Sequence, residues 1–465
     1  MSRARPRRCL PGVGTRLAAA GLSMFSLAAF PVALLFLGSA DLGQPASLRL
    51  AALPPDPDLG RLLWERAPDL AAARARVATA RAQIVRAEAL PNPTLDLSWN
   101  TIPVGETNPP GLSNSLANVP SYAVGLTQPF EIRKRGFRQR AARQGAEAAL
   151  WDAADRLRET WLDLLAVVGR VASSEQRMAA LSGLVEDAAK LTELQHRRAE
   201  KGDAAALEFE RARLEEERLR SSLAEERHKL GVALTDCARL TGATCEPFGS
   251  AERAQAFFDS AVSRSADSLE HLRAKLDDRP DLKSLAATEE AAQSAGELAQ
   301  ARVWPDPALR VGFSYDTFLA SGNQSKSVSV GLTFPLPVFE RGRADRAEAS
   351  ASRWAARRSH DLATAQANLE LPILLRQMDE LRARRVRTRG STLPMAQGIV
   401  DRIAKAVTAG GAALQDLLQA RRTLGELLAD AADLEFASFE TSLALLRAAG
   451  TSPVAIDDLR QRVVP

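Results

Sequence analysis

The sequence predicts a mainly helical fold with a small β part, built by duplicating one long unit. Three observations carry this. Landmarks recur in the same order: Pro68-Asp69-Leu70 as Pro280-Asp281-Leu282, Leu90-Pro91-Asn92-Pro93 as Trp304-Pro305-Asp306-Pro307, Val124-Gly125-Leu126-Thr127 as Val330-Gly331-Leu332-Thr333, and Arg135-Gly136 as Arg341-Gly342. Ordered self-similarity of this kind marks a repeat of roughly 200 residues. Second, four short runs alternate apolar and polar residues with the period of a strand. Third, apolar residues between those runs step by three or four, the period of a helix.

In chain order, Arg3, Arg5, Arg7, Arg8 and Arg16 precede an apolar run from Leu17 to Leu37 that ends in Gly38-Ser39-Ala40. A basic start, an apolar middle and small residues at the end predict a secretory signal over 1–40. The length of the run also fits an uncleaved anchor helix, though Pro31 interrupts it. A proline-rich linker spans 41–57, and a helix is expected from Asp58 to Ala89, ahead of Pro91. Leu95, Leu97 and Trp99 then alternate with Asp96, Ser98 and Asn100. After a Pro, Gly and Asn-rich loop over 103–120, Tyr122, Val124 and Leu126 alternate with Ala123, Gly125 and Thr127. From Gly136 to Glu200 the apolar positions keep helical spacing, through Leu157, Trp161, Leu164, Val168 and Leu181. A helix of ~60 residues is ~90 Å long, too long for a compact domain and suited to a coiled-coil or tube-like bundle. The chain turns at Lys201-Gly202-Asp203 and runs back to Leu240.

The second half repeats this plan. Leu309, Val311, Phe313 and Tyr315 alternate with polar or small residues, as do Val328, Val330, Leu332 and Phe334 beyond a loop at 320–324. Helix follows from Gly342, with a break expected around Gly390 to Pro394, a turn at Gly410-Gly411 and a return to Ala449. The expected boundaries are a first repeat over 58–250 (β-hairpin 94–129, helical hairpin 136–243), a second over 251–450 (β-hairpin 308–336, helical hairpin 342–449) and a tail over 451–465. Four strands are expected in all.

Composition narrows the function. The 61 Lys and Arg face 57 Asp and Glu, for a formal charge of +4. Such mixing reads as solvated helix faces with i,i+4 pairing, as at Glu215-Glu216 and Glu225-Glu226, and no nucleic-acid partner is expected. No Gly-rich phosphate loop follows a strand. His196, His228, His271 and His360 are scattered, so no catalytic set, cofactor or metal site is expected and the chain is not read as an enzyme. Cys237 and Cys245 either pair or are two unrelated small residues, and no histidine stands near them at metal-ligand spacing.

Four strands in two hairpins cannot close a barrel alone, and their oily faces need cover. Either a helix layer covers them, or they belong to a membrane barrel whose strands alternate lipid-facing and lumen-facing residues. In the second case several chains contribute; three would supply twelve strands and closure would remove every edge. Asp96, Ser98, Asn100, Arg310, Ser314, Ser327 and Ser329 then face water.

The duplicated plan of helix, hairpin, long helix, turn and long helix resembles the outer membrane efflux proteins, the TolC-like family. Leu90-Pro91-Asn92-Pro93, Gln128-Pro129-Phe130-Glu131, Lys134-Arg135-Gly136 and Phe334-Pro335-Leu336-Pro337-Val338-Phe339 with Arg341-Gly342 carry the resemblance. The last two look most like the cobalt–zinc–cadmium efflux branch. The resemblance implies a homotrimer with a twelve-stranded outer-membrane barrel in lipid, continued by a periplasmic α-helical tunnel. It also implies a periplasmic adaptor and an inner-membrane RND-type pump as partners, with heavy-metal cations, drugs, siderophores or secreted proteins as cargo. A poreless periplasmic adaptor or scaffold is the competing reading, although an adaptor usually has one helical hairpin flanked by several β domains. By the resemblance, Asp416 falls on an acidic position of the tunnel-entrance constriction. Gln419 departs from the second such position, and Glu208 and Arg211 are the first-repeat counterparts. Gly202, Asp203, Gly410 and Gly411 form small-residue tips suited to adaptor docking. Pro129, Arg135, Gly136, Pro335, Arg341 and Gly342 mark the strand-to-helix junctions, with each proline expected to end a strand and preset the first helical turn.

Overall fold

The computed structural model describes residues 47–102, 104, 118–201, 206–264, 268–317, 324–339 and 341–462. The expected signal over 1–40, the tip residues Gly202 and Asp203, and most of the two strand-connecting loops lie outside them.

Strand β1, Ser47–Arg49, leads into helix α1, Asp56–Arg66, and helix α2, Pro68–Glu88. The single helix expected up to Ala89 is therefore two. Pro68 opens α2 at a position whose N–H needs no partner, and it bars Ala67 from helical geometry; Ala67 is extended, at ψ 125°. Pro280 does the same for the equivalent helix of the second repeat. Strands β2, Thr94–Asn100, and β3, Ser121–Pro129, come next. Helix α3, Lys134–Glu200, has 67 residues and a length of about 100 Å. Helix α4, Ala206–Thr241, returns antiparallel to it and ends at strand β4, Thr244–Glu246.

The second repeat opens with three helices rather than one: α5, Ala251–Arg264, α6, Leu269–Ala274, and α7, Pro280–Ala301. Strands β5, Ala308–Asp316, and β6, Lys326–Thr333, follow. Helix α8, Arg343–Arg387, passes through a π-turn, Thr388–Thr392, into α9, Leu393–Thr408. The break expected near Gly390 is thus a bulge in a continuing helix. Pro394 lacks the N–H that would bond the carbonyl four residues back, and the wider π-turn before it accommodates that loss. Helix α10, Leu414–Ala449, returns, and α11, Ile456–Arg462, closes the chain.

Six strands are described, against four expected. The two extra ones, β1 and β4, pair in parallel, with Leu48 opposite Cys245. Cys245 is joined to Cys237 at the end of α4 by a disulfide, which settles the two readings left open for these cysteines. The other four strands form one antiparallel sheet in the order β2-β3-β5-β6, so the two hairpins are joined side by side through β3 and β5.

The main core lies where α1, α2, α3, α4, α5 and α10 meet, around Leu59, Leu63, Leu70, Trp161, Leu165, Phe258 and Phe439. Glycine lets two of these helices approach closely. A Cβ on Gly169 of α3 would lie 2.2 Å from the Phe439 ring of α10. Buried charge is paired at the end of α10: Arg279 grips Asp281 at 3.0 and 2.7 Å and donates to the Ala448 carbonyl at 2.7 Å. Burial raises the Asp281 pKa, but the Arg279 guanidinium outweighs it and holds the carboxyl below its ordinary value. Gly450, at φ +72°, supplies the left-handed residue that ends α10 directly beneath Arg279.

Gly169→Ala drives a methyl into a ring packed on several sides. A loss of about 2 kcal/mol of stability is expected, read as a lower thermal unfolding temperature with an unchanged helical spectrum.

Candidate functional site: a two-faced sheet and the end of the helical hairpin

Residues directly opposite on paired strands share one face. Read across β2, β3, β5 and β6, one face carries the rows Leu95–Leu126–Val311–Val330 and Leu97–Val124–Phe313–Val328. The row Trp99–Tyr122–Tyr315–Lys326 closes one end of that face, and Leu309 with Leu332 lies at the other. The opposite face carries Thr94–Thr127–Arg310–Gly331, Asp96–Gly125–Gly312–Ser329 and Ser98–Ala123–Ser314–Ser327. One face is wholly apolar through two rows, with Lys326 and Gln128 in the rows that bound them, and the other is polar or small. Polar contacts knit the second face: Thr127 Oγ1 donates to Asp96 at 3.1 Å, and the Ser314 and Ser327 hydroxyls meet at 2.7 Å.

The apolar face is bare. Leu97 and Val328 are each 71% exposed, and Leu95, Trp99, Val330 and Leu332 are also open. No helix covers it among the described residues. Strands β2 and β6 are both edges, each with a free row of backbone groups. They run in opposite directions, so β6 of one copy can pair antiparallel with β2 of the next. The longest strands, β3 and β5, have nine residues each, about the length that crosses a bilayer in a tilted barrel. No described helix is long and apolar enough to cross a membrane.

The strand-to-helix junction is held by contacts between the two repeats. Asp306 accepts from the Ile132 N–H at 3.2 Å and pairs with Lys134 at 2.8 Å, and the Phe130 N–H donates to the Pro307 carbonyl at 2.8 Å. Arg138 pairs with Glu131 and, with Arg135, donates to the carbonyls of Ala87, Glu88 and Ala89 at the end of α2, where the helix dipole favours a cation. Neither proline presets a first helical turn. Pro129 is the last residue of β3, with Phe130–Arg133 between it and α3; Pro335 lies beyond β6, well ahead of α8. The Arg-Gly echo is not a structural equivalence either. The left-handed residue before α8 is Gly342, at φ +67°, where a Cβ would lie 3.0 Å from the Ala299 carbonyl oxygen. Before α3 that conformation falls on Arg133, at φ +61°, while Gly136 lies inside the helix with open space around it. Arg341 is exposed.

At the far end of the second helical hairpin, Gly410, at φ +78°, and Gly411 close α9. Their N–H groups return to the carbonyls of Val407, at 3.1 Å, and Ala406, at 2.8 Å, a left-handed cap. Asp416 sits in the first turn of α10, exposed, and accepts from the Ala413 N–H at 3.3 Å. Gln419, Glu208 and Arg211 are exposed too. No hydrogen bond or ion pair joins these four within one chain, among the described residues. One turn further, other residues do meet. Arg421 pairs with Asp187 of α3 at 2.8 Å and Arg422 with Glu215 of α4 at 3.1 Å. Next to them Gly425 admits Leu184 where a Cβ would lie 2.3 Å away. Their partners are more than 200 positions distant, so no local spacing announces them.

Compared with known proteins, residues 59–243 match the family model described as outer membrane efflux protein. The cobalt-zinc-cadmium resistance protein CzcC of Cupriavidus metallidurans is 24% identical over 358 residues, covering 77% of this chain and 80% of its own. The pyoverdine export outer membrane protein OpmQ of Pseudomonas aeruginosa is 26% identical over 416 residues, 85% of each chain. Among solved structures, the Campylobacter jejuni CmeC outer membrane channel superposes with a TM-score of 0.67 at 16% identity, covering 88% of this chain and 89% of that one. CusC superposes at 0.65 and 18%, covering 85% and 92%. At such identity these two likenesses are of fold.

The face assignment predicts an asymmetry. Leu97→Arg or Val311→Arg, on the apolar face, should each cost about 2–4 kcal/mol in a bilayer and sharply reduce membrane-assembled protein. Ser98→Arg, one residue along on the polar face, should leave it near wild type. Equal yields from all three in a membrane fractionation would contradict the assignment.

Proposed function

We infer that this chain, a member of the outer membrane efflux protein family, is the outer-membrane exit duct of a tripartite efflux system. Three copies join their sheets, β6 of one to β2 of the next, into a twelve-stranded barrel, and the long helices continue it as a periplasmic tunnel. Substrate arrives from an inner-membrane RND-type pump through a periplasmic adaptor that meets the helical-hairpin tips near Gly202-Asp203 and Gly410-Gly411. The observation that carries this reading is the four-stranded sheet with one bare apolar face and two free edges. Lipid satisfies the face, and copies of the same chain satisfy the edges. A poreless scaffold would leave both open to water.

The mechanism is conduction rather than chemistry. Three Asp416 carboxylates around a threefold axis repel one another and attract cations, which makes the entrance cation-selective. Gln419 in place of a second acid lowers the charge of that ring. The pairs of Arg421 with Asp187 and Arg422 with Glu215 fasten the start of α10 to the first helical hairpin and hold the entrance narrow. Heavy-metal cations are the proposed cargo, supported by the similarity to CzcC over most of both chains. Similarity to OpmQ supports a siderophore as the second reading.

Single-channel recording of the purified protein in a planar bilayer, with its mass measured on the same sample, tests this. A trimer with small cation-selective currents is expected, and Asp416→Ala should reduce the cation preference about two- to threefold, the change expected from removing a ring of charge at a constriction. A monomer without current in any condition would favour the scaffold reading.

A further inference from the structure

We propose that the ring where strand becomes helix is a docking surface for anionic phospholipid headgroups in the leaflet on the helical side of the membrane; this rests on the duct reading. Two independent observations meet there. The first is charge. Residues 131–143 hold six cations and one acid, and residues 341–346 hold three cations and one acid. Part of this charge is used internally, as Lys134 on Asp306 and Arg138 on Glu131. Arg133, Arg341 and Arg343 are exposed, and none of them is paired with a carboxylate among the described residues. Among the described residues, Arg135 and Arg346 reach only backbone carbonyls, at Glu88, Gly342 and Arg341. Helices α3 and α8 both begin here, so their positive dipole ends add to the same field.

The second observation is exposed aromatic surface at the same level. Trp304, Phe334 and Phe339 stand open at the foot of the strands, Phe339 fully, continuous with the apolar face through Leu309 and Leu332. Aromatic rings at a lipid boundary beside unpaired arginines fit a headgroup layer: rings at the acyl edge, guanidinium forks on phosphodiester oxygens. Soluble anions would engage the charge but leave the rings exposed. The opposite end of the apolar face differs. Its closing row, Trp99–Tyr122–Tyr315–Lys326, has one cation, and Asp316 lies beside it on the polar face. The cationic charge is thus concentrated on the helical side, and the preference is for that leaflet.

The full-length protein, purified from membranes in neutral detergent and given equal amounts of phosphatidylglycerol and phosphatidylethanolamine, should retain the anionic lipid over the zwitterionic one about tenfold by native mass spectrometry. Raising the volatile salt to ~0.5 M should collapse that preference, since exposed charges are screened within a few ångströms there. Arg133→Ser/Arg341→Ser/Arg343→Ser should bring it below about twofold, while lysine at the same three positions should keep most of it. Equal retention of both lipids by the wild type, or a preference untouched by salt, overturns the proposal even if the triple serine variant fails to fold. Loss of the preference on adding millimolar inorganic phosphate would assign the charge to a free-anion site and also overturn it. Absence of current together with retention of neither lipid would instead overturn the duct reading beneath it.

Discussion

A sheet whose apolar face is covered by no described helix governs the rest of this molecule. Leu95, Leu97, Val124, Phe313, Val328 and Val330 form a continuous oily surface on four strands, and burying it in water-soluble fashion would take a helix layer. The helices are long enough to provide one but gather their own core around Trp161, Phe258 and Phe439 instead. Lipid and neighbouring strands are what such a sheet requires, because backbone groups in hydrocarbon need partners and only closure gives every strand two neighbours.

That demand passes to the junction. Strands in lipid and helices in water must be joined without leaving polar backbone stranded, and the chain does this by crossing its repeats. Asp306, from the linker before β5, holds the backbone of Ile132 and the side chain of Lys134, while Arg135 and Arg138 satisfy the last carbonyls of α2. The junction needs a left-handed residue before each long helix. At Gly342 it comes without steric cost; at Arg133 it costs of order 1–2 kcal/mol.

Beyond the junction, helix approach is set by small residues and charge. Gly169 against Phe439 and Gly425 against Leu184 bring α10 close to α3. Arg421 and Arg422 tie α10 to both helices of the first hairpin. Partially exposed pairs contribute modestly to stability; these two lie five and six residues after Asp416 in the chain.

Much of this was legible in the residues alone. Period-two alternation identified β2, β3, β5 and β6 and sorted their side chains to the two faces, because a strand's geometry is written in adjacent positions. Three-to-four spacing identified the long helices for the same reason, and the duplication supplied their order. The repeated Arg-Gly marked both junctions but did not show which residue the backbone turns on, Arg133 before α3 and Gly342 before α8. The short strands β1 and β4, the pairing of Cys237 with Cys245, and the ion pairs of Arg421 and Arg422 were not readable. The sequence by itself determined the periodic elements and which faces are oily. Tertiary structure alone decided which strands adjoin, which charges meet and that no described helix covers the sheet. Those outcomes depend on contacts between residues far apart in the chain, and local period carries no record of them.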